Sequence, residues 1–336
     1  MRLVRKKLMA IDETEEKTIS SFLDTHFSTV FHEPAFNKIV SEVLGTEFSY
    51  CIAYDREDNM IGVCPLHSIK RGALRQLHSG LSMHDIPYGG WICELRVTNP
   101  LELLSRMKLA FNENLTYWSI PQLQPDNGLS LRSEREFQTG IIDLSRPLDE
   151  ILHEDLDRKR RQDISRAEKK GVEVEKLNTQ NLDIFLDQCR NLKVTIQAVP
   201  FPDEFFVRLF SVYHDSGKII GLATKLKGEY LASGVLIGNR HMAHLWIAGK
   251  PKSCSVHVPR QDSLLWESIK WAKEAGSRYY DLCVVEAERL PQIAQFKLSF
   301  SKTLVPFYYL TQRKLGYRLL SKIQKWAGRR SRILSL

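Results

Sequence analysis

YLASGVLIGNRHMAHLWIAGKPKSCSVHVPRQDSLLWESIKWAKEAGSRYYDLCVV, residues 230–285, carries the pattern from which the fold is read. Residues 230–238 and 241–249 alternate like strands. Gly238, Asn239 and Arg240 form a turn signal between them, so the pair reads as a β-hairpin. Leu265, Ile269 and Ala272 then recur at i, i+4 and i+7, the spacing of one helix face, and Gly276 is placed to end that helix. Residues 278–285 read as a further strand. The first half repeats this order. Residues 48–54 and 60–69 are two strands joined across DREDN. A helix starts near Pro100, with Asn99 as N-cap and Glu102 three residues on, and residues 116–123 (TYWSIPQL) form the next strand. Hairpin, helix and strand occur twice, which predicts two α/β domains of similar build.

Between the halves, the spacing predicts one long helix over about 147–170, with Ser145 as N-cap and Gly171 as its stop. Leu148, Ile151, Leu152 and Leu156 share one stripe of it. The following RKRRQDISRAEKKG, residues 158–171, holds seven basic residues against two acids. Such a run is usually a solvated face. This one leads into VEVE, a strand-like opening to the second domain, and so falls at a domain junction, where ligand clefts commonly lie.

The composition is that of a folded globular chain: 336 residues, 43% hydrophobic and 26% charged, enough for two domains of roughly 150 residues each. No stretch reaches the roughly 18 apolar residues that a transmembrane helix requires. The basic start, MRLVRKKLMAI, meets Asp12, Glu13 and Glu15 before any secretory apolar region forms, so a cytoplasmic location is expected. Six cysteines without a C-x-x-C pair spell neither a disulfide framework nor a zinc ribbon, and buried reduced thiols are expected. His241 and His244 lie three apart on a strand and therefore face opposite sides, so no metal site is expected there.

The net charge of +8 is concentrated at one end. Residues 311–336 hold eight basic residues and no acid, leaving 40 basic against 40 acidic residues in the body. On a helix at about 100° per residue, Leu315, Leu319, Leu320, Ile323, Trp326 and Ala327 fall in one arc and Lys314, Arg318, Lys322, Lys325 and Arg329 in another. That is a basic amphipathic helix. It suits an anionic membrane surface, or its own core with the charges in solvent, or a nucleic acid.

Several segments together resemble the Fem-type (FemABX) aminoacyl transferases and their relatives in polysaccharide gene clusters. RKRRQDISRAEKKGVEV is similar to the family's R-x-x-I-x-x-A-x-x-x-G-V, with Arg161, Ile164, Ala167 and Gly171 in place. FHEPAFNKIV, IGVCPLHSIK, IPYGGWI, LLWESIKWAKEAGSRYYDL and QIAQFKLSFSKTLVPFYY resemble other blocks of the family, over residues 30–310. The resemblance implies an α/β (α+β) class of tandem GNAT-like domains, each a mixed, mostly antiparallel sheet flanked by helices: residues 1–146, residues 147–310, and a basic C-terminal helix over 311–336. It implies transfer of an acyl or aminoacyl group to an amine of a cell-envelope precursor, such as a peptidoglycan, polysaccharide or lipid-linked intermediate. The donor would be an aminoacyl-tRNA or an acyl-CoA, with no tightly bound cofactor. The rival readings are an acetyl-CoA-dependent N-acetyltransferase and a non-catalytic RNA- or membrane-binding protein on the same scaffold. Two departures bear on this. The turn before the late helix, KPKSCSVHVPRQDS, lacks the glycines that let backbone N–H groups approach a pyrophosphate, although Arg260 could attract an anion there. The family's Asp-Leu-Gly strand end is Asp281, Leu282 and Cys283.

Direct acyl transfer to an amine needs a neutral amine, a positioned carbonyl and donors aimed at the developing oxyanion, with no covalent intermediate. Lys297, matching the lysine of the family's F-K-x-x-F signature, is the candidate for charge stabilisation, or else a surface lysine on an aromatic strand. Arg161 is the candidate phosphate or carboxylate clamp, with Arg158, Arg160 and Arg166 as helix neighbours. Tyr88 would line the acceptor pocket, Gly89 and Gly90 letting backbone come close. His84, Asp281 and Glu286 are candidates to accept the amine proton.

Overall fold

The computed structural model describes residues 1–71, 74–81, 85–111, 113–123, 135–196, 198–254, 256, 258–285, 288 and 290–314. The first half of the chain forms β1 (Arg2–Lys7), α1 (Glu13–Thr25), α2 (Pro34–Leu44), β2 (Glu47–Tyr54), β3 (Met60–Arg71), β4 (Leu74–Ser79), β5 (Ile92–Cys93), α3 (Pro100–Phe111), β6 (Leu115–Trp118) and β7 (Arg135–Asp143). Next come α4 (Leu148–Glu154), α5 (Arg158–Lys169), β8 (Glu173–Leu177), α6 (Asp183–Thr195), α7 (Asp203–Tyr213) and β9 (Ile219–Leu226). The chain continues through β10 (Glu229–Gly238), β11 (Met242–Gly249), α8 (Arg260–Glu274), β12 (Tyr279–Val285), α9 (Pro291–Leu298) and β13 (Thr303–Gln312).

Both hairpins form, β2 with β3 and β10 with β11. In each half a helix then returns the chain to a parallel strand: α3 carries β4 to β6, and α8 carries β11 to β12. The halves exchange their last strands. β7 leaves the first half to pair with β12, β13 crosses back to pair with β6, and the two exchanged strands pair with each other. One mixed sheet results, in the order β1-β2-β3-β4-β6-β13-β7-β12-β11-β10-β9-β8, with β5 added to β3. It runs unbroken past residues 146 and 147, which lie in the loop between β7 and α4.

Period-2 alternation assigns the faces. Along β2, Phe48, Tyr50 and Ile52 pack with Ile19 and Leu23 of α1, whereas Cys51 and Ala53 pack with Leu103, Leu104 and Met107 of α3. In the second half, Phe185 of α6 and Phe205, Phe206 and Phe210 of α7 share a core with Val235 and Ile237. On the other side Ile151, Ile164, Leu265 and Ile269, from α4, α5 and α8, share one with Leu236, Tyr280 and Leu282.

Several expectations are corrected. The long helix over 147–170 is two helices, because the chain turns at residues 155–157, where Leu156 is fully buried and the Asp157 N–H donates to the Ser299 carbonyl at 2.9 Å. Ser145 does not cap α4. Its N–H and hydroxyl both donate to Asp143 Oδ1, at 2.9 and 2.8 Å, and Pro147 precedes the helix. The strand expected over 116–123 stops at Trp118; beyond it Pro121 lacks a donor, and Ser119 and Gln122 touch β13 through single backbone bonds. Thr311 and Gln312 complete β13, and residues 315–336 of the expected basic helix lie outside the described residues. By contrast Asn99 caps α3, accepting from Leu101 and Glu102 N–H at 3.1 and 2.9 Å, and Gly171 ends α5 at φ 78°. Among the described residues, no helix is long and apolar enough to cross a membrane.

Two histidines of the first half are sealed inside. His67 bonds to Thr46 and Asn37 at 2.9 and 2.8 Å, and His32 to Thr29 and the Gly89 carbonyl at 3.0 and 2.9 Å. Burial lowers His67 to about 3 and His32 to about 4. An unfolded imidazole binds its proton below about pH 6.5, while these stay neutral, so protons bind preferentially to the unfolded chain in that window. Stability is therefore expected to fall from pH 6.5 toward pH 4, by up to about 1.4 kcal/mol per pH unit for each histidine. Urea midpoints at pH 7.0, 6.0 and 5.0 check this, and a flat profile would contradict it.

Candidate active site

β11 and β12 pair in parallel at only three positions, Met242 with Tyr279, Ala243 with Tyr280 and His244 with Asp281, and then part. The last pair sits at the fork. His244 Nδ1 bonds to Asp281 Oδ2 at 2.8 Å, and neither side chain is exposed. Asp281 Oδ1 accepts from the Cys283 N–H at 2.9 Å and from the Thr139 hydroxyl of β7, whose Oγ1 also lies 3.0 Å from the Cys283 carbonyl. A carboxylate only accepts, so Nδ1 is the ring nitrogen that donates in this bond and Nε2 is the one left over. That Nε2 is buried without a hydrogen-bond partner.

β12 is bulged here: Asp281 faces Ile141 of β7, and the next paired residue is Val284, facing Thr139. Cys283 lies in the bulge at φ 58°. Its backbone thus takes the left-handed form that the glycine of an Asp-Leu-Gly strand end adopts freely, at a cost of about 1–2 kcal/mol for a residue with a Cβ. Burial first, then the Asp281 charge, push the Cys283 thiol well above its ordinary value, while Lys297 pulls it down. Lys297 stands on α9, not on the aromatic strand of the alternative reading, and its Nζ donates to the Val284 carbonyl at 3.1 Å.

The matching fork in the first half, between β4 and β6, is closed by the chain itself. Gly89 N–H donates to the Trp118 carbonyl at 3.2 Å, Gly90 N–H to Ser79 Oγ at 2.7 Å and Trp91 N–H to the Tyr117 hydroxyl at 3.0 Å. The two glycines bring backbone close to the sheet. The same loop sends Tyr88 to the second fork, where its ring lies 5.6 Å from His244, 5.3 Å from Phe307 and 6.2 Å from Phe31. Its hydroxyl is buried without a hydrogen-bond partner, and burial together with Asp281 holds it well above its ordinary value.

Of the residues singled out from the sequence, the structure therefore gathers Asp281, Lys297 and Tyr88. It directs the arginines elsewhere. Arg161 Nη1 donates to the Leu156 carbonyl and, at 3.1 Å, to that of His153, closing the end of α4. Arg166 pairs with Asp163 at 2.5 Å, Arg158 is exposed, and Arg260 opens α8. Arg160 lies over the Phe296 ring and pairs with Asp262 at 2.7 Å. Asp262 is 5% exposed in the first turn of α8; burial raises its carboxyl and Arg160 opposes the rise. An acid in this first turn interacts favourably with the helix dipole, and its charge is matched by Arg160. His84 and Glu286 lie outside the described residues. Sequence reasoning missed His244, Thr139 and Cys283. The alternation of HMAHLWIAG did place His244 opposite His241, whose Nε2 lies 3.1 Å from the Asp24 carbonyl, and pairing β11 with β12 would have brought it to Asp281.

Residues 158–297 match the family described as Acetyltransferase (GNAT) domain. No curated protein matches the chain. The crystal structure of FemX is similar over 95% of this chain and 99% of its own, with a TM-score of 0.66 at 13% identity. The C-terminal domain of an Agrobacterium fabrum protein named for lysylphosphatidylglycerol synthesis is similar over 93% and 96%, at TM-score 0.55 and 12% identity. A tandem GNAT protein from the clavulanic acid biosynthesis pathway is similar over 92% and 98%, at TM-score 0.50 and 11% identity. The fold is thus the FemX-like GNAT fold, and the matched domain makes the chain an acyltransferase.

A Cβ on Gly89 would stand 2.3 Å from Gly80 N and 2.4 Å from the Ser79 carbonyl carbon, both backbone atoms. Gly89→Ala is expected to lower stability by about 3 kcal/mol or more, because the loop that seats Tyr88 must move. Thermal unfolding of the variant checks this, and a midpoint equal to that of the parent would contradict it.

Proposed function

We propose that this protein transfers an acyl or aminoacyl group to an amino group of a cell-envelope precursor, with His244 accepting the amine proton. The observation that carries the reading is the buried, unpartnered Nε2 of His244, whose ring Asp281 fixes through Nδ1. Such a pair holds the correct tautomer and stabilises the imidazolium that forms. The Tyr88 ring lies 5.6 Å from that of His244, its hydroxyl unpartnered, and Lys297 adds positive charge for the developing oxyanion. An envelope acceptor is supported by the FemX-like fold, by the neighbour named for lysylphosphatidylglycerol synthesis, and by the basic run at residues 311–336, which suits the anionic inner face of the cytoplasmic membrane.

The donor is an aminoacyl-tRNA or an acyl-CoA. The absence of glycine from residues 250–259, before α8, weighs against acetyl-CoA held there by its pyrophosphate, and so against the plain N-acetyltransferase reading. Transfer from both donor classes to extracted envelope precursors, followed by mass spectrometry of the acceptors, tests the reading. His244→Gln is expected to reduce kcat by about 100-fold or more, with acceptor KM changed only a few-fold. Parent-like kcat in that variant, or no acylated amine with either donor, would contradict it.

A further inference from the structure

We propose that Lys193 is a positioning residue for the transfer: by pairing with Asp85 it latches the loop that carries Tyr88 onto the second half, and so holds the Tyr88 ring against His244. This rests on the function proposed above, in which Tyr88 and His244 share the site, and adds a residue outside that pair. Lys193 lies in the last turn of α6, and among the described residues it is the one lysine or arginine that is buried. Its Nζ donates to Asp85 Oδ2, 108 positions earlier in the sequence. The two ends of the pair are unequal, the Lys193 side chain being 5% exposed and that of Asp85 41%. A buried ammonium is costly without a partner, so the acid is what allows this lysine to be sealed in.

Asp85 is placed to receive that bond. The Leu81 N–H donates to the Ile86 carbonyl at 2.9 Å and the Ile86 N–H to the Leu81 carbonyl at 3.1 Å, which closes a turn with Asp85 just inside it. Asp85 stands at φ 49°, a left-handed conformation that aspartate tolerates better than most residues with a Cβ. Its carbonyl accepts from Trp246 Nε1 at 2.6 Å. Both of these donors belong to the second half, Lys193 on α6 and Trp246 on β11. Trp246 is two residues beyond His244, and the Phe31 ring packs on both, 5.6 Å from Trp246 and 5.0 Å from His244. The hold on Asp85 is therefore exerted beside the fork.

The far side of Tyr88 is anchored independently. His32 Nε2 donates to the Gly89 carbonyl at 2.9 Å, and the Gly89 and Gly90 N–H groups are bonded to Trp118 and Ser79. Tyr88 is thus suspended between an anchor in the first half, at Gly89, and one in the second half, at Asp85. Releasing the second leaves the sheet and the Gly89 anchor intact, so it loosens Tyr88 without unfolding the loop. A displacement of about 1 Å at a reacting group is enough to cost rate, which is how a residue that touches no reactant enters the chemistry.

Two variants of the full-length protein separate positioning from stability. Lys193→Met removes the latch and leaves Asp85 facing solvent, whereas Asp85→Asn removes the same latch and leaves the ammonium sealed without an acid. Asp85→Asn is therefore expected to unfold at the lower temperature, while both variants lose the positioning alike. Nitration of Tyr88 by tetranitromethane, followed by peptide mass spectrometry, should be about tenfold or more faster in both than in the parent. The kcat of transfer should fall about tenfold in both, with acceptor KM within a few-fold. Lys193→Arg, which keeps an ion pair, should return both readouts to within about twofold of the parent. Parent-like protection of Tyr88 or parent-like kcat in Lys193→Met would overturn the proposal, as would a Lys193→Arg variant as impaired as Lys193→Met. The two readings fail differently: no transfer by the parent contradicts the function, and transfer by the parent that Lys193→Met equals contradicts the latch alone.

Discussion

The contact on which the rest of the molecule depends is the hydrogen bond between His244 and Asp281 at the fork of β11 and β12. A buried polar group left unpaired costs about 1–3 kcal/mol, so the Asp281 carboxylate persists here because its neighbours are arranged to satisfy it. Asp281 is held by the bulged backbone of β12 and by Thr139 of β7, 142 positions earlier in the sequence. β7 reaches β12 because the two halves exchange their last strands. The strand exchange thus builds the site as well as joining the halves: Tyr88 and Thr139 come from the first half, and His244, Asp281, Cys283 and Lys297 from the second.

The duplication is unequal in its consequences. Each half forms a parallel fork after its helix, but in the first the glycines of IPYGGW let the chain occupy its own fork. In the second, His244, Asp281 and Cys283 are grouped instead, with Tyr88 reaching in from the first half. One fork is filled by its own chain and positions Tyr88, and the other groups His244, Asp281 and Cys283.

Much of the fold was legible in the sequence because its signals are local. Alternation marked β2, β3, β10, β11 and β12, the i, i+4, i+7 spacing marked α8, and Asn99 and Gly171 marked helix ends. The exchange of β7 and β13 was not legible, since no short-range pattern names a partner more than a hundred residues away. The same limit hid the charges. The run from Arg158 to Lys170 reads as a solvated basic face, yet Asp163 draws Lys159, Arg160 and Arg166, while Asp262, 102 positions from Arg160, takes its guanidinium. Arg161 fits its motif and spends its guanidinium on backbone carbonyls at the break between α4 and α5, a break that the apolar stripe did not disclose. In the site, Asp281 and Lys297 were reached through their motif. Cys283 was noted only as a departure from glycine, and His244 was weighed only as a metal ligand, because its value lies in the strand placed beside it.

The protonation of His244 tests the account most directly. Histidine-selective 15N labelling with long-range 1H–15N correlation spectra of the full-length protein at neutral pH distinguishes the two ring nitrogens. The account requires His244 to be a single neutral tautomer with the proton on Nδ1 and a bare Nε2, assigned by loss of the signals in His244→Gln. A proton on Nε2, or rapid averaging between both nitrogens, would contradict it.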